Sequence, residues 1–305
     1  MRILVTGGTG FVGRHLLDHL ERAGHSVSLV SRRPNVGVGW EEDSLARAVE
    51  AHEAIVHLAG AGIFDRRWSA AYRDEIRASR VDTTRRVAEL CARVGDRRLV
   101  STSAVGYYGP QARDGDEGSP PGEDFLAGVC RDWEAALEPA RAAGIPTAVV
   151  RTGVALGADG GALKRMLLPF RLGLGGPLGS GRQPFPWIHV DDLCRLYAHL
   201  VTRRDGGEAF DGPFNAVAPG LCDQRSFART LGRVLGRPAF LPAPAPALRL
   251  ALGGVAEVLL EGQGVAPRRT LATGFTFGHP NLEPALRELV ERARTRRRPR
   301  TDRGV

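Results

Sequence analysis

The chain has 305 residues, of which 43% are hydrophobic and 25% are charged. This balance is ordinary for a soluble globular protein, and the length allows one large domain or a large domain with a smaller partner. No apolar run could span a membrane, and the first residues, MRILVTGGTG, enter a strand without a signal-peptide layout. The four cysteines lie far apart in sequence, which favours free thiols and a cytoplasmic location: Cys91, Cys130, Cys194 and Cys222.

The net charge of +8 is concentrated at the end of the chain. Residues 292–303 contain seven arginines and one aspartate, a charge of +6, so the rest of the chain is close to neutral. Because this segment has neither aromatic residues nor apolar periodicity, we expect residues 291–305 to form a disordered basic tail. Tail arginines can contact nucleic acid or anionic lipid, but we predict neither a nucleic-acid partner nor a membrane partner.

Short apolar runs alternate with amphipathic segments in the first half of the chain. The runs are continuous rather than alternating, as in strands that are buried on both faces. Their alternation with helices indicates a parallel sheet covered by helices. We predict strands over 3–6, 27–30, 55–58, 99–102 and 147–151, and helices near 11–23, 43–51, 68–93 and 124–143.

The character of the sequence changes after residue 157. LGLGGPLGSGRQPFP predicts a loop, and WIHVDDLCRLYAHLV predicts a strand that enters a helix. PFNAVAP predicts another strand, and helices are expected near 223–235 and, after three prolines, over 247–260. We expect this part to form a smaller lobe over the carboxyl ends of the strands, where open parallel sheets bind ligands.

The strongest motif is ILVTGGTGFVGRHLLDHL. Its glycines follow a predicted strand and open a predicted helix, with the spacing of a dinucleotide-binding turn. Glycine permits the tight turn and a close approach of the backbone to a pyrophosphate, and the helix N-terminus presents free N–H groups. The residues predicted to hold the pyrophosphate are Gly7, Thr9, Gly10, Phe11, Val12 and Gly13.

The end of the second strand, VSLVSRRP, predicts which dinucleotide binds. An NAD site usually places Asp or Glu here to bind the ribose 2′-hydroxyl, whereas this chain has Ser31, Arg32 and Arg33. An arginine beside the ribose can form charge-assisted bonds to a 2′-phosphate, which favours NADP(H) as the cofactor. The alternative is a solvated loop arginine, and it fits Arg33 better than Arg32.

Two further strand ends are candidates for backbone contact with the cofactor. Leu58, Ala59 and Gly60 end the third strand, where they would approach the adenine ribose and diphosphate or would only pack against a helix. Ala155 follows the fifth strand, where backbone would approach the nicotinamide.

These elements predict an α/β fold, a Rossmann-like doubly wound parallel sheet with a smaller C-terminal α/β substrate lobe. We assign residues 1–157 to the NADP(H)-binding domain, to which residues 187–204 return. Residues 158–186 and 205–290 would form the substrate lobe.

TGGTGFVG, HLAG, STSAVGYYG and WIHVDDL resemble the extended short-chain dehydrogenase/reductase superfamily, which includes sugar-nucleotide epimerases and dehydratases. DFLAGVCRDWEAA, LLEGQ and RRTLATGF narrow the resemblance to its atypical branch of epimerase family proteins, which has its own C-terminal domain. The resemblance covers about residues 1–290 and implies a Rossmann-like domain that binds NADP(H). It also implies that Glu75 and Arg80 contribute to cofactor binding; exposed helix charges are the alternative.

The resemblance breaks at the catalytic positions. In the superfamily a serine after the fourth strand binds the substrate oxygen, a tyrosine transfers a proton, and a lysine lowers the pKa of that tyrosine. Ser103 matches the serine, but the single lysine, Lys164, has no tyrosine four residues before it, so the chain has no Tyr-x-x-x-Lys. Aligning the helix through Glu134 puts Leu126 at the tyrosine position and Cys130 at the lysine position.

Other residues are candidates for the missing chemistry. Tyr107 and Tyr108 follow Ser103 and are the candidate proton donors, with an arginine supplying the missing positive charge; an aromatic pocket wall is the alternative. Cys130 has no histidine nearby in sequence to activate it, so we expect a buried core residue. No group of residues has metal-ligand spacing, and we expect no metal.

These features support functions of two classes. The first is an NADP(H)-dependent oxidoreductase of atypical mechanism, acting on a small carbonyl or hydroxyl substrate. The second is an NADP(H)-binding sensor with little or no turnover. The missing dyad favours the sensor, whereas Ser103, the glycine loop and the expected substrate lobe favour the oxidoreductase. A nucleotide-sugar epimerase or dehydratase ranks third. The expected partner is a small-molecule substrate, and the sequence is compatible with a homo-oligomer.

Overall fold

The computed structural model describes residues 1–33, 35–110, 112–203 and 210–295. Within these ranges the chain forms eight strands, twelve α-helices and one 3-10 helix, Val105–Tyr108. The strands are β1 (Arg2–Thr6), β2 (Ser26–Val30), β3 (Ala54–His57), β4 (Arg98–Ala104), β5 (Thr147–Thr152), β6 (Val154–Leu156), β7 (Trp187–His189) and β8 (Gly212–Ala216). The helices are α1 (Phe11–Arg22), α2 (Glu42–Ala51), α3 (Ala70–Val94), α4 (Phe125–Ala135), α5 (Glu138–Ala142), α6 (Gly161–Arg171), α7 (Val190–Thr202), α8 (Gln224–Leu235), α9 (Ala245–Leu252), α10 (Val255–Leu260), α11 (Arg268–Ala272) and α12 (Leu282–Thr295).

Six strands form one parallel sheet in the order β2-β1-β3-β4-β5-β8. From β1 the chain first goes to β2 on one side and then to β3 on the other. Such a reversal opens a crevice at the carboxyl ends of β1 and β3, which is where open α/β sheets bind ligands. The fold therefore positions a ligand crevice directly beside the glycine motif.

Helices cover both faces of the sheet, which explains the continuous apolar runs. Ile3 and Val5 pack on one face with residues of α1 and α7. Leu4, between them, packs on the other face with residues of α2, α3 and α5. Because successive side chains of a strand point to opposite faces, a strand buried on both faces is apolar at most positions, and its buried polar residues, such as Thr6 and His57, pair with each other.

A smaller lobe has its own apolar core. The short parallel pair β6–β7 packs there with α6, α8 and α12, and the cluster includes Trp187, Phe227 and Leu286. Within the described residues, this lobe and the six-stranded sheet give the predicted α/β class with a Rossmann-like doubly wound sheet.

Several boundaries differ from the sequence-based expectation. β8 pairs with β5 in the main sheet, although it falls within the range 205–290 that we assigned to the lobe. The predicted helix over 124–143 is two helices: α4 ends at Ala135, and α5 begins at Glu138 with Pro139 in its first turn, where proline has no N–H to continue α4. The predicted helix over 247–260 is also two, because Gly253 ends α9 at a positive φ of 61°.

The basic tail begins later than we expected. α12 continues to Thr295, so residues 291–295 are helical. The remainder of the expected tail, residues 296–305, and residues 205–209 of the expected lobe lie outside the described residues.

Candidate functional site

The glycine turn depends on close backbone contacts. Gly7 has a positive φ of 71°, and a Cβ there would lie 2.7 Å from the carbonyl carbon of Leu58. A Cβ on Gly13 would lie 2.4 Å from the carbonyl oxygen of Gly7. The Gly10 N–H donates to that same oxygen at 3.0 Å. These glycines therefore let the turn after β1 touch both the end of β3 and the first turn of α1.

The first turn of α1 has no side-chain cap. Gly10 is the N-cap residue, no side chain among the described residues accepts a hydrogen bond from the turn, and the turn contains no acidic residue. Phe11 and Val12 are half-buried at this end, and the Thr9 carbonyl accepts from the Arg14 guanidinium at 3.0 Å. Free N–H groups and the positive end of the helix dipole suit an anion such as a pyrophosphate.

Thr6 and His57 hold the end of β3 against β1. The Thr6 hydroxyl oxygen accepts from the N–H groups of Leu58 (3.2 Å) and Ala59 (3.3 Å). Its own proton therefore points to Nδ1 of His57, 2.8 Å away, which makes Nε2 the protonated nitrogen of the ring. Burial lowers the pKa of His57 to about 4, so the ring stays neutral at physiological pH.

The loop after β3 is held by α3. The Ala61 N–H donates to Ser79 at 3.1 Å, and the Arg80 guanidinium donates to the Ala61 carbonyl at 2.9 Å. Arg80 also lies over the Trp133 ring, against Gly60, and burial lowers its pKa. Arg80 therefore positions the loop beside the crevice.

The remaining residues predicted to bind the cofactor differ in their exposure to solvent. Glu75 is exposed on α3, 3.4 Å from Arg66. Ser31 is buried and accepts from the N–H of Arg33 at 3.0 Å, whereas the side chain of Arg32 is exposed. Ala155 lies in β6, half-buried.

A second cluster lies at the carboxyl ends of β4 and β5. Ser103 donates to Oε1 of Glu134 at 2.7 Å. Arg151 donates to both carboxylate oxygens of Glu134, at 2.8 Å each, and only 4% of the Arg151 side chain is exposed. Burial favours a lower pKa for Arg151, but the pair with Glu134 outweighs burial and raises the pKa above its ordinary value.

The two candidate tyrosines differ in their surroundings. The Tyr108 hydroxyl accepts from Arg151 at 2.9 Å and donates to Asn215 at 2.7 Å. Burial raises the pKa of Tyr108 to about 12. Tyr107 is only half-buried, and the Arg151 guanidinium carbon lies 3.5 Å from its ring centroid. Its hydroxyl has no hydrogen-bond partner among the residues that the structure describes.

The two positions that replace the dyad are Leu126, an apolar side chain that is half-buried, and Cys130, a buried thiol. Cys130 is 4% exposed, and burial, aided by Glu134, raises its pKa to about 12, so the thiol stays protonated. Asp124 caps α4 by accepting from the N–H groups of Leu126 (2.8 Å) and Ala127 (3.2 Å). Neither residue supplies an acid or a nucleophile to the site.

Sequence reasoning missed part of this network. Glu117 is buried, lies between β4 and α4, and accepts from the N–H of Asn215 at 3.0 Å and of Arg269 at 3.0 Å. No pattern marks Glu117, because its partners come from distant parts of the chain. The pairing of Arg151 with Glu134 had one signal, an arginine that ends an otherwise apolar strand.

One other group of side chains brings potential metal ligands together. Single ligand atoms of His189, His279 and Glu288 lie within 4.8 Å of one another. However, Nδ1 of His189 accepts from the N–H of Asp191 at 3.1 Å, and the two imidazole rings are stacked 3.8 Å apart. Parallel stacked rings do not direct their in-plane lone pairs at one point, so we assign no metal to this group.

The crevice and the glycine turn define a dinucleotide-binding α/β protein. Residues 3–215 match the NAD dependent epimerase/dehydratase family, and residues 243–289 match a C-terminal domain of unknown function, DUF1731. The chain therefore belongs to the NAD dependent epimerase/dehydratase family, in its branch of epimerase family proteins, as the motifs predicted.

Relatives cover nearly the whole chain. The human epimerase family protein SDR39U1 is 44% identical over 300 residues, which is 95% of this chain and 100% of the relative. The epimerase family protein YfhF of Bacillus subtilis is 35% identical over 97% of this chain and 100% of its own. A crystal structure of human SDR39U1 (isoform 2) with NADPH matches with a TM-score of 0.88 at 42% identity, covering 95% and 99% of the two chains. Among the described residues, no helix is long and apolar enough to cross a membrane.

Proposed function

We propose that the chain is an NADP(H)-dependent oxidoreductase of the short-chain dehydrogenase/reductase type, acting in the cytoplasm on a small carbonyl or hydroxyl substrate. The observation that carries the proposal is the uncapped first turn of α1, beside Gly7 and Gly13. NADPH bound to human SDR39U1, at 42% identity, supports the same cofactor here.

The end of β2 supports NADP(H) rather than NAD(H). Arg32 is exposed there, and residues 31–33 contain no carboxylate that would bind the ribose 2′-hydroxyl. A guanidinium can bind a 2′-phosphate through two parallel hydrogen bonds. Ser31 uses its hydroxyl within the turn and would contribute mainly through its backbone.

Tyr107 is the better candidate for proton donor. Its hydroxyl is free of partners among the described residues, and its ring lies on the Arg151 guanidinium. Both hydrogen-bonding sites of Tyr108 are occupied, and its raised pKa makes it a poor acid. NADPH, when bound, supplies the hydride; Tyr107 would give its proton to the carbonyl oxygen, and Ser103 would orient that oxygen.

One observation favours a sensor with little turnover as the second candidate. The Ser103 hydroxyl proton is directed to Glu134, so Ser103 must rotate away from Glu134 before it can donate to a substrate. In addition, Leu126 and Cys130 stand where the superfamily has its tyrosine and lysine. A site with these features can bind the dinucleotide without having a ready acid.

Titration with NADPH and NADH, followed by NADPH absorbance against a panel of small aldehydes and ketones, tests the proposal. We expect tighter binding of NADPH and its oxidation by at least one carbonyl. Tyr107→Phe should abolish oxidation at unchanged stability, whereas Tyr108→Phe should lower stability. Tight NADPH binding without oxidation by any member of the panel would favour the sensor. Failure to bind either nucleotide would reject both functions.

A further inference from the structure

The connection from β6 to α6, residues 157–160, and the first residue of α6, Gly161, pack on the first residue of α1. A Cβ on Gly157, Gly160 or Gly161 would lie 2.4, 2.2 or 2.8 Å from ring atoms of Phe11. Three glycines therefore bring this backbone directly against the Phe11 ring. Phe11 begins the helix whose N-terminus faces the pyrophosphate position, so the connection lies at the edge of the crevice.

A polar contact fixes the same connection to α1. Asp159 lies 2.9 Å from Nε2 of His15, and these side chains are only 21% and 19% exposed. The His15 ring also meets the Phe11 ring edge-on, with centroids 5.4 Å apart. Residues 157–161 are thus anchored on the β1–α1 side of the crevice.

The residues that follow, at the start of α6, reach the β3–α3 side of the crevice. Arg165, in the first turns of α6, donates to the Phe64 carbonyl at 2.8 Å and to the Asp65 carboxylate at 3.1 Å. Phe64 and Asp65 belong to the loop between β3 and α3. The Arg165 and Asp65 side chains are 60% and 58% exposed, so water competes for this contact.

The crevice lies between the carboxyl ends of β1 and β3, and residues 157–165 contact the elements that follow each of them. We propose that residues 157–165 form a strap over the bound dinucleotide, anchored at Phe11 and His15 and latched by Arg165 to Asp65. The strap controls how fast the cofactor leaves. This inference rests on the proposed binding of NADP(H).

The two ends of the strap differ in strength. The anchor combines apolar packing with a half-buried polar contact, whereas the latch is an exposed ion pair that opens readily and is screened by salt. Opening the latch would uncover the crevice without unfolding the anchor. Loss of the latch should therefore speed release more than it slows association, because the open form still admits NADPH.

Stopped-flow release of NADPH tests the strap. Protein loaded with NADPH is mixed with excess NADP⁺, and NADPH fluorescence reports the release rate for wild type, Asp65→Asn, Arg165→Met and the double variant. We expect roughly fivefold faster release in Arg165→Met, which loses the contacts to both Phe64 and Asp65, and a smaller increase in Asp65→Asn, which keeps the hydrogen bond to Phe64. The double variant should release NADPH no faster than Arg165→Met, because that single change already opens the latch. Raising the salt concentration should bring wild-type release close to that of the variants.

Two further variants act as controls. Arg233→Met removes an exposed ion pair to Glu283 in the lobe (2.7 Å) and should leave release unchanged. Exchanging the charges, Asp65→Arg with Arg165→Asp, restores the ion pair but not the hydrogen bond to Phe64, so release should be slower than in Arg165→Met and faster than in wild type. Release rates equal to wild type in all latch variants, with NADPH still bound, would reject the strap alone. A wild type that binds no NADPH would reject the proposed function, and the strap with it.

Discussion

The cofactor crevice and the cluster around Ser103 use their polar groups in opposite ways. At the crevice, glycines remove side chains and leave the backbone N–H groups of α1 without a side-chain cap. At the ends of β4 and β5, the polar atoms of Ser103, Glu134 and Arg151 are paired with one another. The first region has groups available for a ligand, whereas the second is stabilised from within.

This contrast shows why the cofactor could be predicted and the reaction could not. Backbone groups available to an anion identify a phosphate site from geometry alone. In the cluster around Ser103 the side chains hydrogen-bond to one another. Their arrangement shows only which hydrogen bonds must break before a side chain can contact a substrate. Tyr107 is the exception in the second region, since its hydroxyl has no partner within the part of the chain that the structure describes.

The largest change in stability is expected when the buried ion pair between Arg151 and Glu134, in the cluster around Ser103, is broken. Arg151→Met leaves the Glu134 carboxylate, 12% exposed, without its cation. We expect a loss of about 3–5 kcal/mol in the free energy of unfolding, because an unpaired buried charge is costly. Denaturant titration measures it.

α4 offers a matched control for this change. Arg77→Met breaks another ion pair to a carboxylate of α4, Asp132, at 2.6 Å, but the Arg77 side chain is 54% exposed. We expect a loss below about 1 kcal/mol. Equal losses in the two variants would show that burial does not distinguish the pairs.

We expect the folded state to lose stability at acid pH because His57, which is buried at the end of β3 beside the crevice, is then protonated on unfolding. The pKa of His57 is about 4 in the folded chain against 6.5 as its ordinary value, so the unfolded state binds the proton more tightly. Stability is therefore complete above pH 6.5 and falls as the pH drops towards 4, by about 3 kcal/mol. In thermal melts, His57→Gln should lose less stability than wild type over this range. If both proteins lost stability equally as the pH fell from 6.5 to 4, the loss could not be assigned to protonation of His57.

Adding one methyl group to the glycine turn should weaken NADPH binding at the cofactor crevice more than it lowers the stability of the fold. Gly7→Ala drives a Cβ against Leu58 at a positive φ, and we expect NADPH to bind at least ~100-fold more weakly. Gly24→Ala is the matched control, since Gly24 has a φ of 83° but nothing within 4 Å of the added Cβ. The control should lose about 1 kcal/mol of stability and keep its affinity for NADPH. Calorimetric titration distinguishes the two outcomes.

The smallest expected effect concerns the choice of dinucleotide. Arg32→Ala should weaken NADPH binding about tenfold and leave NADH binding unchanged, because the lost contact is to the 2′-phosphate. Arg33→Ala removes the neighbouring charge and should have the smaller effect. If NADH binding falls as much as NADPH binding in Arg32→Ala, the residue does not read the phosphate.

The sequence by itself determined the main elements and one firm negative. The apolar runs located β1 to β5, because burial on both faces favours apolar residues at successive positions of a strand. The glycine spacing located the cofactor turn, because only glycine tolerates its contacts. A chain with one lysine, Lys164, and no tyrosine four residues before it cannot contain the usual dyad wherever it folds.

Only the tertiary structure decided the rest. The addition of β8 to the main sheet, the pairing of Arg151 with Glu134, and the contact of Arg165 with Asp65 join residues far apart in sequence. Such contacts leave no local periodicity, since each partner takes its position from a different element. For the same reason, sequence treated Tyr107 and Tyr108 alike, whereas the fold buries one hydroxyl in a network and leaves the other beside Arg151.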